Sequence, residues 1–287
     1  MTDATLQELL EELAKVRALD FRGYKPASLQ RRLRKRIAQL NLGGYREYIE
    51  YFRDNAGEIN HLLSVVLINV TEFFRDPAAW EVLRREALPQ VLNRMQRGGT
   101  FRAWCAGCAS GEEVYSLAML VAEHFGPHLG EFDIKLYASD HDEEALAVAR
   151  RGEYPVERLR RVPPEWQEKY FSGSGSMRRV ERELRRLAIF GRSNLVSDAP
   201  ISHIQLLVCR NVLIYFDIPL QHQVIDKFRY ALEDGGILFL GKSESQLRDL
   251  TSFHPINTKW RIFQCMKDNG ASRREDKIPQ PDNLELD

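Results

Sequence analysis

The sequence predicts an α/β protein, with a helical N-terminal domain over residues 1–95 and a parallel sheet covered by helices over 96–266. Three observations carry this. Up to residue 95 the apolar residues recur at helical spacing. After Gly98-Gly99, apolar runs of strand length alternate with helical segments. A charged stretch around Gly173-Ser174-Gly175-Ser176, residues 153–186, interrupts the alternation once and is long enough for a small hairpin subdomain.

In the first part, Leu6, Leu9, Leu10 and Leu13 make one apolar stripe, and Leu29, Leu33, Ile37 and Leu40 a second. Tyr45, Tyr48, Ile49 and Phe52 make a third after the Gly43-Gly44 break, and 61–68 supply a fourth. Asp76-Pro77 reads as an N-cap followed by proline at the first helical position, opening a helix to Gln96. Strands are expected at Phe101–Ala106, Ile134–Ser139, Leu187–Phe190, Gln205–Cys209, Ile237–Leu240 and Arg261–Met266, with helices at 112–125, 143–151 and 218–233. The tail, 267–287, is polar, contains proline and is expected to be disordered.

The whole chain bounds the function. Its 287 residues hold 41 basic and 41 acidic side chains, so the net charge of zero argues against a general polyanion binder. No run approaches the roughly 18–20 apolar residues of a membrane span, and the acidic, amphipathic start MTDATLQELLEELAKV lacks a signal peptide's basic and apolar regions. A cytoplasmic protein without direct membrane insertion is expected. Cys105, Cys108, Cys209 and Cys265 sit in apolar runs, which favours buried, reduced thiols. Cys105 and Cys108 spell CxxC but have no second ligand pair, and the seven histidines show no HxxxH, so no metal is expected.

Chemistry concentrates where the first strand ends. Phe101–Ala106 runs into Gly107-Cys108-Ala109-Ser110-Gly111, and Glu112-Glu113 open a helix. Such a loop lets a ligand approach the backbone closely. The two glutamates and the missing GK[ST] disfavour a polyphosphate and suit a ligand with positive charge and hydroxyls. The second strand ends at Asp140, placed either to accept from both ribose hydroxyls or to cap the next helix. For Asp142 the cap is the better reading.

Taken in order, Asn69-Val-Thr71-Glu-Phe-Phe-Arg75-Asp, Ala106-Gly-Cys-Ala-Ser-Gly-Glu112-Glu113, Ala138-Ser-Asp140, Ser193-Asn194-Leu195, Cys209-Arg210-Asn211-Val-Leu-Ile-Tyr215-Phe-Asp and Gly235-Gly236-Ile-Leu-Phe-Leu-Gly241-Lys-Ser243-Glu244 resemble the CheR-type chemotaxis protein-glutamate methyltransferases. The resemblance spans residues 5–266. It implies a Rossmann-like S-adenosylmethionine-dependent domain behind a helical one, with a small inserted β-subdomain. It also implies methyl transfer to receptor glutamates, leaving S-adenosylhomocysteine; the alternatives are a same-fold methyltransferase with another acceptor and a non-catalytic S-adenosylmethionine-binding signalling module. Matching cofactor positions are Asn69, Thr71, Arg75, Glu112, Asp140, Asn194, Leu195, Arg210 and Asn211. Asp140 would hold the ribose, Arg75 the methionine carboxylate, Glu112 would offer negative charge near the amino or sulfonium end, and Leu195 with the Arg210-Asn211 turn would frame the adenine. Read singly, Thr71 also suits a helix cap and Arg75 a surface ion pair. Arg75 and Tyr215 are the candidates for steering the substrate carboxylate.

Between Arg22 and Arg36 lie seven basic residues and no acidic one. With Leu29, Leu33, Ile37 and Leu40 facing inward, Arg31, Arg32, Arg34, Lys35 and Arg36 are expected outward. Without interleaved aromatic residues this stripe does not suit nucleic acid. The resemblance implies docking on the glutamate-rich cytoplasmic helical bundle of a chemotaxis-type receptor; a monomer is expected. Departures are Val114, Gln205 and Lys242, where proline, an acidic residue and histidine are usual. The turn Gly173–Ser176 is shorter than in members that grip a receptor's C-terminal pentapeptide, so no such grip is expected.

Overall fold

A computed structural model describes residues 3–15, 23–55, 57–66, 71–244 and 252–267. Four helices, α1 Asp3–Lys15, α2 Pro26–Gln39, α3 Tyr45–Asp54 and α4 Glu58–Val66, close their own core. The apolar stripes form it: Leu9, Leu13, Leu33, Tyr48 and Leu62 are fully buried, while Leu40 is only half-buried at the end of α2. No helix among the described residues is long and apolar enough to cross a membrane.

The helix expected from Pro77 to Gln96 is shorter and broken. It comprises α5 Pro77–Val82, a π-helical turn Leu83–Ala87 and α6 Leu88–Leu92. Pro89 has no N–H to give to the preceding turn and its ring crowds the carbonyl four residues back; the wider turn just ahead accommodates both. Asp76 precedes the helix with a left-handed φ of 56° but forms no side-chain cap. Trp80, Leu83, Leu88 and Leu92 share the core of the sheet, not that of α1–α4. The packing therefore divides between Val66 and Thr71, ahead of the boundary expected at residue 95.

Among the described residues, seven strands form the main sheet: β1 Thr100–Ala106, β2 Asp133–Asp140, β6 Ala188–Arg192, β7 Ile204–Cys209, β8 Leu232–Leu240, β9 Phe253–Asn257 and β10 Ile262–Cys265, in the order β6-β2-β1-β7-β8-β10-β9. The first five are parallel, and β10 is antiparallel to both its neighbours. Helices α7 Glu112–Phe125, α8 Glu143–Arg151 and α11 Ile218–Ala231 cross between strands. β9 was not expected: Pro255 breaks its pattern, which an edge strand tolerates. The order reverses between β1 and β7, and such a switch point opens a crevice at the carboxyl ends of the strands.

The charged stretch holds β3 Glu153–Pro155, β4 Phe171–Ser172 and β5 Met177–Val180 as a small antiparallel sheet, with α9 Pro164–Tyr170 and α10 Arg182–Leu187. Tyr154, Leu159, Val162, Phe171 and Leu184 join the core under the main sheet, fastening the insert to it. From residue 268 on, the tail lies outside the described residues.

Candidate active site

The loop Gly107–Gly111 is sewn to the end of β2, because the N–H groups of Gly107 and Cys108 donate to the Ser139 carbonyl at 2.8 and 3.0 Å. Gly107 has a φ of +75°, and a Cβ there would stand 2.4 Å from a methyl of Val212. Only glycine lets this loop close on the turn after β7.

Asp140 organises the crevice. Its carboxylate accepts from the Ala109 N–H at 2.8 Å and the Asp142 N–H at 2.9 Å. Burial pushes its acid strength down, raising its pKa despite those bonds. The cap of α8 is Asp142, which accepts from the N–H groups of Glu144 and Ala145. Asp140 thus holds the loop and is not the cap of α8.

Glu112 is fully buried at the start of α7, where the helix dipole favours a carboxylate. Ser110 Oγ donates to it at 2.7 Å, and Arg158 from the insert pairs with it. Arg158 was not singled out from the sequence, since it is one of many arginines in a charged stretch. Thr71, Glu72, Arg75, Glu157, Arg158 and Arg160 line a cleft of about 410 Å³. Thr71 Oγ1 is buried there with no hydrogen-bond partner, which removes its helix-cap reading. Asn69 lies outside the described residues.

Beyond β6, the Asn194 side chain accepts from the Val196 N–H at 2.9 Å, holding a turn that carries half-buried Leu195. Beyond β7 the outcome is different for Arg210. Its side chain is 1% exposed and points inward, donating to Glu113 at 2.7 Å, Asp76 at 2.7 Å and the Arg75 carbonyl at 2.9 Å. Burial raises the pKa of Glu113 although Arg210 opposes the shift. Arg210 is therefore an internal brace, and its side chain is not free to frame an adenine. Asn211 adopts a left-handed φ of 59°, and its Oδ1 is buried without a partner. Phe74, Asp76 and Ala109 are likewise left-handed, so backbone strain gathers around this crevice.

The helical domain reaches the same place. The Lys25 N–H donates to the Tyr215 carbonyl at 2.9 Å, and the Asp217 N–H to Gly23 at 2.8 Å. Tyr24 meets the Phe216 ring edge-on at 5.0 Å. Arg32, expected on the outer face of α2, is 7% exposed, bonds to the Val66 carbonyl and stacks over the Tyr215 ring at 4.6 Å. Arg36 is also withdrawn, held by both oxygens of buried Glu58 at 2.8 and 2.6 Å. Burial opposes ionisation of Glu58, but its bonds from Arg36 and Tyr48 outweigh that and lower its pKa. The outward basic set thus reduces to Arg31, Arg34 and Lys35. Arg32 and Arg36 have other work because α2 packs on α4 and on the turn after β7, contacts that helical periodicity does not reveal.

The comparisons with known proteins join these features. The family model described as CheR methyltransferase, SAM binding domain matches residues 69–262, and that of the CheR methyltransferase all-alpha domain matches 4–67. The chain belongs to the CheR methyltransferase family. A Rhizobium etli protein named as a probable chemotaxis protein methyltransferase is 36% identical over 77% of this chain and 84% of its own. The chemotaxis protein methyltransferase of Escherichia coli is 30% identical over 85% of each chain. A 104.1 kDa protein of Rhodobacter capsulatus is 32% identical over 93% of this chain, which spans 28% of that protein.

This CheR-family chain is accordingly an S-adenosylmethionine-dependent methyltransferase with an α/β Rossmann-like fold behind an all-α domain. The residues fit the cofactor's chemistry: the orphaned Thr71 hydroxyl, the paired charges of Glu112 and Arg158 beside the cleft, and the buried Asp140 carboxylate. Cys105 and Cys108 are free and buried, and burial raises both thiol pKa values well above the ordinary range. Among the described residues no three His, Cys, Asp or Glu side chains converge as metal ligands.

Proposed function

We propose that this CheR-family protein esterifies glutamate side chains on the cytoplasmic helical bundle of a chemotaxis-type receptor, as a protein-glutamate O-methyltransferase. The observation that carries this reading is Arg32. Its guanidinium is buried over Tyr215, has a backbone carbonyl as acceptor, and has no carboxylate partner among the described residues. Its Nε is buried without any partner. A cation buried without a counter-ion is costly, and an anionic acceptor arriving beside Tyr215 relieves that cost.

When bound, S-adenosylmethionine supplies an electrophilic sulfonium methyl. An ionised carboxylate already is a competent nucleophile, so the chain's task is to orient one oxygen and exclude water. Arg32 would hold that carboxylate and Tyr215 would wall the approach. Asp140, Thr71, Arg75, Asn194, Leu195 and Asn211 would seat the cofactor. The exposed Arg31, Arg34 and Lys35 would meet the acidic receptor surface, chiefly speeding association. The relatives named for chemotaxis support this choice of partner.

The test is transfer of labelled methyl groups to receptor-rich membranes of the source organism. Label released as methanol by mild base supports the ester. Base-stable label, or label found on nucleic acid or a small acid, refutes it.

A further inference from the structure

The insert makes a contact with the cofactor side that the functional reading does not use. Its turn Val156–Leu159 is anchored by Leu159, 1% exposed, and by the Tyr154 hydroxyl, which donates to the Ser110 carbonyl at 2.7 Å. This fixes Arg158 beside the loop that precedes α7. Its guanidinium pairs with Glu112 and approaches Ser110 Oγ at 3.5 Å. The two partners differ in one respect. The Glu112 side chain is 0% exposed, whereas that of Arg158 is 47% exposed and opens into the cleft. The nearby Arg160 is already taken by Glu72 at 3.2 Å.

We propose that Arg158 is a cofactor-binding residue, holding the α-carboxylate of the cofactor's amino-acid end beside Glu112, whose negative charge the family resemblance already puts near the amino end. An α-amino acid presents its ammonium and carboxylate on one carbon, and a side-by-side carboxylate and guanidinium are the matching pair. A guanidinium has donors on two edges, so Arg158 can keep one on Glu112 and turn the other to the ligand. Arg75 lines the same cleft and would share the carboxylate. The insert then closes one wall of the cofactor cleft, and the Tyr154–Ser110 bond keeps that wall in register with the loop. The inference rests on the cofactor reading of the cleft, not on the identity of the methyl acceptor.

Calorimetry on the full chain tests it with two probes, S-adenosylhomocysteine and 5′-methylthioadenosine, which lacks the amino-acid end. Arg158→Ala should weaken S-adenosylhomocysteine by roughly ten-fold or more, the range of a charge-assisted hydrogen bond. Binding of 5′-methylthioadenosine should stay within about two-fold, since no contact to it is lost. If the alanine variant does not fold, Arg158→Lys serves instead: it keeps Glu112 neutralised but gives up the planar fork, and should show the same selective loss in smaller measure. Unchanged or tighter S-adenosylhomocysteine binding would overturn the proposal, leaving Arg158 as a counter-ion for Glu112 only. Equal weakening of both probes would overturn it too, by showing a general collapse of the cleft. A wild-type chain that binds neither probe would refute the cofactor reading itself. Loss of receptor methylation with intact, selective binding would touch the acceptor reading alone.

Discussion

Replacing Arg210 by methionine removes the charge from the most enclosed ion cluster of the site while keeping an apolar stem. The side chain is 1% exposed, and its partners Glu113 and Asp76 are 8% and 38% exposed. Breaking a buried pair by removing one member costs about 3–5 kcal/mol, because the other charge stays buried. The shielded Glu113 puts this case within that range; half-open Asp76 adds little, since water reaches it. For a domain of this size the loss corresponds to a fall in Tm of roughly 6–20 °C. Glu113 can escape by taking up a proton, which fixes the pH dependence. Its folded pKa, already raised by burial, rises further in the variant. A raised folded pKa gives stability that is present at low pH and lost as pH rises through it. The deficit against wild type should therefore be smaller at pH 6 than at pH 8, and Arg210→Met with Glu113→Gln should recover part of it. Urea unfolding followed by tryptophan fluorescence measures all three. A deficit below about 1 kcal/mol at pH 8, or one that grows on acidification, would refute the buried-pair argument. S-adenosylhomocysteine should also bind more weakly to the variant, because the Arg75 carbonyl loses its donor.

Asp140→Ala should weaken S-adenosylhomocysteine by about 1.5–3 kcal/mol; an unchanged dissociation constant would leave Asp140 with only its role in holding the loop. The triple variant Arg31→Ala, Arg34→Ala, Lys35→Ala should keep cofactor binding, lose receptor association, and show a shallower salt dependence; a wild-type rate and salt slope would make α2 an ordinary solvated face. Arg32→Met should instead lower turnover with cofactor affinity intact, and undiminished methylation would sink its acceptor role. Glu244 is 3% exposed and accepts from the Val212 N–H at 3.0 Å, and burial raises its pKa to about 7. Its raised value means stability that is full below the unfolded carboxylate range and lost as pH rises through 7, on the order of 3 kcal/mol. Thermal melts from pH 5 to 8 should fall more steeply for wild type than for Glu244→Gln, and parallel curves would refute it.

Much of this protein was legible in the sequence because its signals are local. The bounds of α7 and α8 follow from the residues themselves: Gly111 before Glu112, Asp142 capping α8, and Gly152 after Arg151 with a left-handed φ of 64°. The strands of the parallel sheet stand out because burial on both faces demands near-continuous apolar runs, as in β1 and β7. The ordered motifs pointed to a family and to a cofactor class, and the family models agree. The short edge strand β9 and the π-helical turn ahead of Pro89 escaped, since an edge tolerates a broken pattern and periodicity does not register one extra residue in a turn.

What only the tertiary structure decided is how charges are shared between distant segments. Periodicity assigned Arg32 and Arg36 to the outer face of α2, but Tyr215 lies 183 positions from Arg32 in the chain and Glu58 lies across a helix pair. The Arg210 motif suggested a ligand, yet Glu113 and Asp76 come from two other elements to neutralise it. Arg158 looked like one charge among many until the insert folded back onto Glu112. Sequence spacing fixes which side of a helix a residue occupies, because that depends on 3.6 residues per turn. Whether that side meets water, a carboxylate or an aromatic ring depends on long-range packing, and the pairing of buried charges is settled only there.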